Sequence, residues 1–352
     1  MESATELAAR FDRLGEMLDQ HPVLPWIETR DASGFAAQLL QTLARMDAAS
    51  FRNTLGLLLS QRSHTLRALG LEALRARPTP ELVDGARRGL QDPHPIVRAT
   101  AAWALEHFAD ESSYSALLEV RDADEEIVKQ RAIATLTQCR DPRSIPLLVR
   151  WMGCAEASPD LRISIAQSLG TLADDAAVPT LLRMLQDETN ISEVRAAMAL
   201  ALGRISCKDS LRQLTRATAD SCAAVRAAAI LGLALARASA APGLAMQMFD
   251  HDSTPRVRAA ALEALCMCDR QGLRHACKAL SDQHPEVRAR AVHLVAAYAP
   301  PNAAQFLTLS CNDTDAAVAS LASECLARFQ VRSLKVPAAA EQKVPAVAEQ
   351  LG

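Results

Sequence analysis

Aromatic residues are scarce: tryptophan, tyrosine and phenylalanine make up 3% of the 352 residues, while Ala and Leu dominate. A β-rich fold draws on aromatic and β-branched side chains to fill its pleated faces, so this composition argues against one and for close helix packing through small residues. Long apolar runs are also missing. The longest uncharged apolar stretch, Ala227 to Ala236, lies between Arg226 and Arg237 and is far too short to cross a bilayer, so no membrane is expected. No basic segment followed by an apolar run opens the sequence, and export through a classical signal is not expected.

Motifs that carry chemistry are absent as well. There is no Gly-x-Gly-x-x-Gly, Walker loop, Gly-x-Ser-x-Gly or His-Glu-x-x-His, so no catalytic residues are assigned and catalysis by this chain alone is not expected. The eight histidines form no metal-ligand spacing, and His94, His251 and His284 read as solvated turn residues. Nine cysteines, an odd number, fall in helix-sized positions where a free thiol is a small apolar filler, which points to a reducing cytoplasm. Cys266 and Cys268, with Cys277 nearby, cannot easily share an ion, because positions two apart on a helix diverge by about 200°. No metal or cofactor is expected. A net charge of -3 lacks the uncompensated positive excess of a general nucleic-acid binder.

What the chain does have is a repeat. Nine copies of a motif anchored on a branched apolar residue begin at Leu66, Val97, Val128, Leu161, Val194, Val225, Val257, Val287 and Val318, with gaps of 30 to 33 residues. A fixed period in this range means a stacked array. Small or apolar residues recur at offsets 0, 4, 7, 8 and 11 from the anchor, one face of a helix. An apolar segment such as Val178 to Leu185 precedes each anchor, so each repeat reads as two helices of roughly 10 to 14 residues. Pro80, Pro146, Pro179 and Pro242 open first helices; Pro95, Pro159, Pro255 and Pro285 stand two residues before an anchor, in the first turn of the second helix, where a missing N–H costs nothing. Asp92, Asp220, Asp252, Asp282 and Asp313 precede anchors by five residues, placed to accept helix N-terminal amides and to face a neighbouring Arg.

The pattern Asp-x-x-x-x-Val-Arg-x-x-Ala-x-x-Ala-Leu resembles HEAT repeats, in particular the short bacterial variety also found in phycobilisome-lyase proteins, over about residues 50–330. The resemblance implies an all-α fold: a right-handed α-solenoid (armadillo-like superhelix) of about nine two-helix HEAT-like repeats. Deoxyhypusine hydroxylase is similar too, but its iron-binding His-Glu pairs are replaced here by Ala99-Thr100, Gln130-Arg131, Ala196-Ala197, Ala227-Ala228 and Ala259-Ala260, which excludes that activity. Against the helical-repeat alkylpurine glycosylases, Trp103 is the lone aromatic at a matching offset.

The ends differ from the array. Residues 1–50 read as an N-terminal helical cap, with Leu7, Phe11, Leu14 and Leu18 in register, a loop through Pro22 to Trp26 and a second helix around Phe35 to Met46. The solenoid spans 51–332. A tandem octamer from Lys335 and Lys343 marks 333–352 as a flexible tail.

Two surfaces are candidates for function. The basic residues after the anchors (Arg67, Arg98, Lys129, Arg162, Arg195, Arg226, Arg258 and Arg288) form a ladder better suited to tie repeats together through the turn acids than to bind phosphate. Offsets 2, 3, 6 and 10 point away from the seam, and the second helices of HEAT arrays line the concave face. Trp103, Arg131, Leu200, Arg204, Leu231, Leu235, Glu263, Met267 and His293 are accordingly the expected partner-binding residues, an apolar strip rimmed by polar groups that suits a helix or extended peptide. The expected function is a protein-binding scaffold or adaptor. The alternative implied by the resemblance is a phycobilisome-lyase-like or chaperone-like subunit that handles a cofactor or modified protein together with a partner subunit.

Overall fold

The computed structural model describes residues 35–335 apart from 109, 270, 271 and 301. The expected helix at Leu7 to Leu18, the loop at Pro22 to Trp26 and the tail from 336 onward lie outside these residues. The described residues hold nineteen α-helices and no strand. The fold is an all-α solenoid.

A single helix, α1 (Phe35–Arg45), precedes nine helix pairs. The pairs are α2 (Ala48–Leu59) with α3 (His64–Ala76), α4 (Val83–Gly89) with α5 (Pro95–Ala104), and α6 (Glu111–Leu118) with α7 (Glu126–Cys139). Then come α8 (Ile145–Met152) with α9 (Pro159–Leu172), α10 (Val178–Gln186) with α11 (Ser192–Ile205), and α12 (Lys208–Ala217) with α13 (Ala223–Leu235). The last are α14 (Ala241–His251) with α15 (Pro255–Cys268), α16 (Gly272–Ala279) with α17 (Pro285–Tyr298), and α18 (Ala303–Ser310) with α19 (Ala316–Lys335). The chain divides into two compact units, residues 1–201 and 202–352, the boundary falling inside α11. In the first unit α3, α5, α7 and α9 pack in succession; in the second α13, α15, α17 and α19 do the same.

The sequence dictates where these helices start. Pro95, Pro159, Pro255 and Pro285 are each the first residue of a second helix, where the ring pre-sets φ and no hydrogen bond is lost. The turn aspartates work one step earlier than expected. Asp92, Asp252 and Asp282 accept from the backbone N–H two residues on, at His94, Thr254 and His284, closing an Asx turn in front of the helix. The first-turn amides are met instead by cap side chains, as when Ser63 accepts from Leu66 and Ser158 from Leu161. Several first helices are shorter than expected: α4, α6, α8 and α10 run 7 to 9 residues. Tight 3-10 turns at Pro80–Leu82, Pro142–Ser144 and Asp175–Ala177 use up the missing lengths before α4, α8 and α10. At the other end α19 continues through Lys335, past the expected start of the tail.

Small residues let the helices approach closely. Leu66, Leu69, Leu74, Val225, Ile230, Val257 and Leu262 are fully buried, with alanines filling the gaps between them. At Gly203 a Cβ would stand 2.4 Å from the Gly232 Cα, so even alanine would push these helices apart.

The Arg ladder runs through this packing, and it has two ends per rung. Arg226 Nε and Nη2 donate to both carboxylate oxygens of Asp252 in the next repeat, at 2.9 and 3.0 Å, while Nη1 donates to the Asp220 and Ser221 carbonyls of its own turn. Arg67 with Asp92 and Arg288 with Asp313 repeat this pattern, and Arg98 does so with Asp124 and Glu125. Arg258 reaches Asp282 at 3.3 Å. Each guanidinium therefore clamps its own turn carbonyls to the following repeat's carboxylate. Burial raises Asp252, but the Arg226 hydrogen bonds and the Thr254 amide outweigh it and hold the carboxyl below the usual carboxylate range. Arg288 does the same for Asp313.

Pairs so enclosed are costly to break, because the surviving charge is left without its partner. Arg226→Ala is expected to destabilise the protein by roughly 1–3 kcal/mol, seen as a lowered melting temperature by circular dichroism. An unchanged melting curve would show that the rung contributes nothing to the stack.

Candidate functional site

Five of the ladder arginines are paired inside the stack, and the candidate surface is the outward side of the second helices. In the first unit it centres on Trp103 of α5. The indole is half-buried, with the Arg75 guanidinium over its ring at 4.0 Å from the centroid and the Arg131 guanidinium at 4.2 Å. These residues come from α3, α5 and α7, three successive second helices. Their offsets from the anchors are nine, six and three, so the stack descends one helical turn per repeat. Arg75 is further held by Glu72 at 2.7 Å, whose hydrogen bonds raise the arginine above its ordinary range against the effect of burial. The structure thus brings together two expected residues, Trp103 and Arg131, and adds Arg75.

The same register recurs in the second unit. Glu263 at offset six of α15 pairs with Arg290 at offset three of α17, 3.3 Å apart. Leu231 and Met267 are half-buried, Leu235 is 42% exposed at the end of α13, and Arg204 and His293 are exposed. Leu200, which belongs to the first unit, is half-buried. One expectation fails here. The offset-two and offset-three alanines Ala227, Ala228, Ala259 and Ala260 are buried rather than open, because adjacent second helices close over them. No row of small sockets is left for incoming side chains; what remains apolar and accessible is Leu235 with parts of Leu231 and Met267.

The histidines also depart from expectation. His94 is the N-cap of α5, its Nδ1 accepting from the Ile96 N–H, and its ring stacks on His64 of the preceding repeat at 3.7 Å. His251 is the last residue of α14 rather than part of a turn. All nine cysteines are free thiols. Burial pushes the Cys266 thiol up to about 12, with Cys277 and Glu263 adding to the effect, as befits a thiol packed in the core.

A cleft of about 380 Å³ in the first unit is lined by Gly56, Leu59, Arg67, Leu82, Gly85 and Arg88. Most of its charges are internally paired: Arg67 with Asp92, Glu81 with Arg52 and Asp84 with Arg87. Nothing in the sequence marked this cleft, since glycines facing a gap leave no periodic signal.

The family model for HEAT repeats matches residues 53–137, 118–191 and 190–266, more than half of the chain. The chain belongs to the HEAT-repeat family. No curated protein matches the sequence. Solved structures similar to this HEAT-repeat chain include the complex of CpcE and CpcF of phycocyanin lyase from Nostoc sp. PCC7120, at 18% identity and a TM-score of 0.42 over 72% of this chain and 97% of that one. The protein YIBA_ECOLI is 17% identical with a TM-score of 0.41 over 85% and 99% of the two chains. The karyopherin Kap121p bound to the extreme C-terminus of the protein phosphatase Cdc14p is 15% identical with a TM-score of 0.46 over 93% of this chain and 42% of its own. No helix among the described residues is long and apolar enough to cross a membrane.

The exposure of the HEAT face separates two neighbouring leucines. Leu235→Glu is expected to shift stability by less than about 0.5 kcal/mol, and Leu231→Glu to cost about 1–3 kcal/mol, since only the second places a charge among packed helices. Equal losses in chemical denaturation would mean that Leu235 is also part of the core.

Proposed function

We propose that this HEAT-repeat protein is a scaffold or adaptor that binds a protein partner along the outward face of its second helices. The observation that carries this reading is the division of labour among side chains. The ladder arginines Arg67, Arg98, Arg226, Arg258 and Arg288 are directed at carbonyls and carboxylates of the stack, whereas Leu235 and parts of Leu231 and Met267 are accessible, and Arg204 and His293 are exposed on other second helices. An apolar patch with a polar rim is the usual anatomy of a site for a helix or an extended peptide. In the first unit the candidates on the second helices are Trp103, Arg131 and Leu200. Nine free thiols suit a reducing compartment, and we place the protein in the cytoplasm.

Site-specific crosslinking distinguishes this face from the first-helix side. A photoreactive residue at position 235 is expected to give crosslinked protein adducts in cells, and one at position 309, a leucine 71% exposed on α18, is not. Adducts at 309 with none at 235 would move the binding site to the first helices.

A further inference from the structure

We propose that Arg131, fixed against Trp103, is a receptor for a single carboxylate side chain of the partner; this rests on the protein-binding reading above and names the chemistry of one subsite. The ladder arginines Arg67 and Arg98, and Arg75 beside the indole, are engaged. Arg67 and Arg98 clamp turn carbonyls to carboxylates, and Arg75 pairs with Glu72. Arg131 differs. Among the described residues no hydrogen bond or ion pair engages its guanidinium, yet its position is set by the indole face 4.2 Å away. Stacking uses the face of the guanidinium and leaves its N–H edge, the fork that fits a carboxylate with two parallel hydrogen bonds, available.

Held in this way, the group loses little further freedom on binding, which is what makes Arg and Trp frequent energetic anchors of interfaces. Trp103 itself, half-buried, supplies apolar surface next to the charge. The surroundings favour one carboxylate over a polyanion. Glu72 is hydrogen-bonded to Arg75, and Glu106 accepts from Gln138 at 2.7 Å while acting electrostatically on Arg75. With these two acids in place the patch of Arg75, Arg131, Glu72 and Glu106 is neutral as a whole, so a run of phosphates would meet as much repulsion as attraction. A lone acidic side chain meets the one fork of this patch that no acid engages by a hydrogen bond.

The test is selection of a random dodecamer library displayed on phage against the full chain, followed by fluorescence anisotropy with the enriched peptides. The expected result is that enriched peptides share one Asp or Glu, and that replacing it with the amide weakens binding by roughly 10- to 100-fold. Arg131→Gln should weaken the acidic peptide by a similar factor and the amide peptide not at all. Arg131→Lys, which keeps the charge and the aliphatic stem but not the fork, should lose about tenfold and serves if Arg131→Gln melts early. Acidic peptides that bind both Arg131 variants as tightly as the wild type would overturn the carboxylate site and leave the protein-binding reading standing. Failure to enrich any peptide would count against both. Displacement of the peptide by a single-stranded oligonucleotide with the same dependence on Arg131 would show that the fork serves phosphate, and the assignment would fall.

Discussion

The arginine clamp found at five of the nine anchors, at Arg67, Arg98, Arg226, Arg258 and Arg288, is the interaction on which the rest of the stack depends. A two-helix repeat cannot bury its apolar face alone; it needs a neighbour, and it needs that neighbour at one register. Apolar packing through alanine and leucine is permissive about register, because many small side chains fit many gaps. The guanidinium is not. Arg226 demands two carbonyls of its own turn and two oxygens of Asp252 at once, and only one relative placement of α13 and the turn before α15 meets all four demands. Where the acid is missing the clamp weakens. Arg162, whose following turn offers Asn190 instead of an aspartate, makes a single 3.3 Å contact there, and its Nε has no hydrogen-bond partner. This falls in the stretch where the repeats lengthen to 33 residues.

That constraint shapes the proposed binding surface. Fixing the turns fixes the stagger of the second helices, and the stagger decides which outward residues meet. A shift of one turn per repeat brings offset six of one helix to offset three of the next, so Trp103 meets Arg131 and Glu263 meets Arg290. The features proposed for recognition are therefore secondary consequences of a structural clamp. Residues that the stagger pairs become stacks and ion pairs, and residues that it leaves alone, such as Leu235, stay accessible.

Much of this was legible in the sequence. The period, the nine helix pairs, the helix starts at Pro95, Pro159, Pro255 and Pro285 and the structural role of the ladder follow from spacing and from elementary capping rules. What the sequence left open was everything that depends on the distance and stagger between repeats. It allowed the ladder arginines to pair within a repeat or across repeats, and the structure assigns carbonyls to the first and carboxylates to the second. Ala228 and Ala260 occupy offsets that an isolated helix exposes, yet the next helix covers them. Arg75, at offset nine, lies outside the offsets singled out from one helix, and its meeting with Trp103 appears only once the one-turn descent is known. A diagonal of offsets nine, six and three across consecutive repeats is the sequence signal for such stacks.

The central claim is that the rungs couple neighbouring repeats, and a double-mutant cycle tests it most directly. Arg288→Ala, Asp313→Ala and the double variant are compared by chemical denaturation, on a pair whose side chains are 11% and 9% exposed. The account predicts a coupling of about 1–3 kcal/mol, the double variant losing less than the sum of the singles. Additive losses, with coupling below about 0.5 kcal/mol, would contradict it and would mean that apolar packing alone sets the register of the stack.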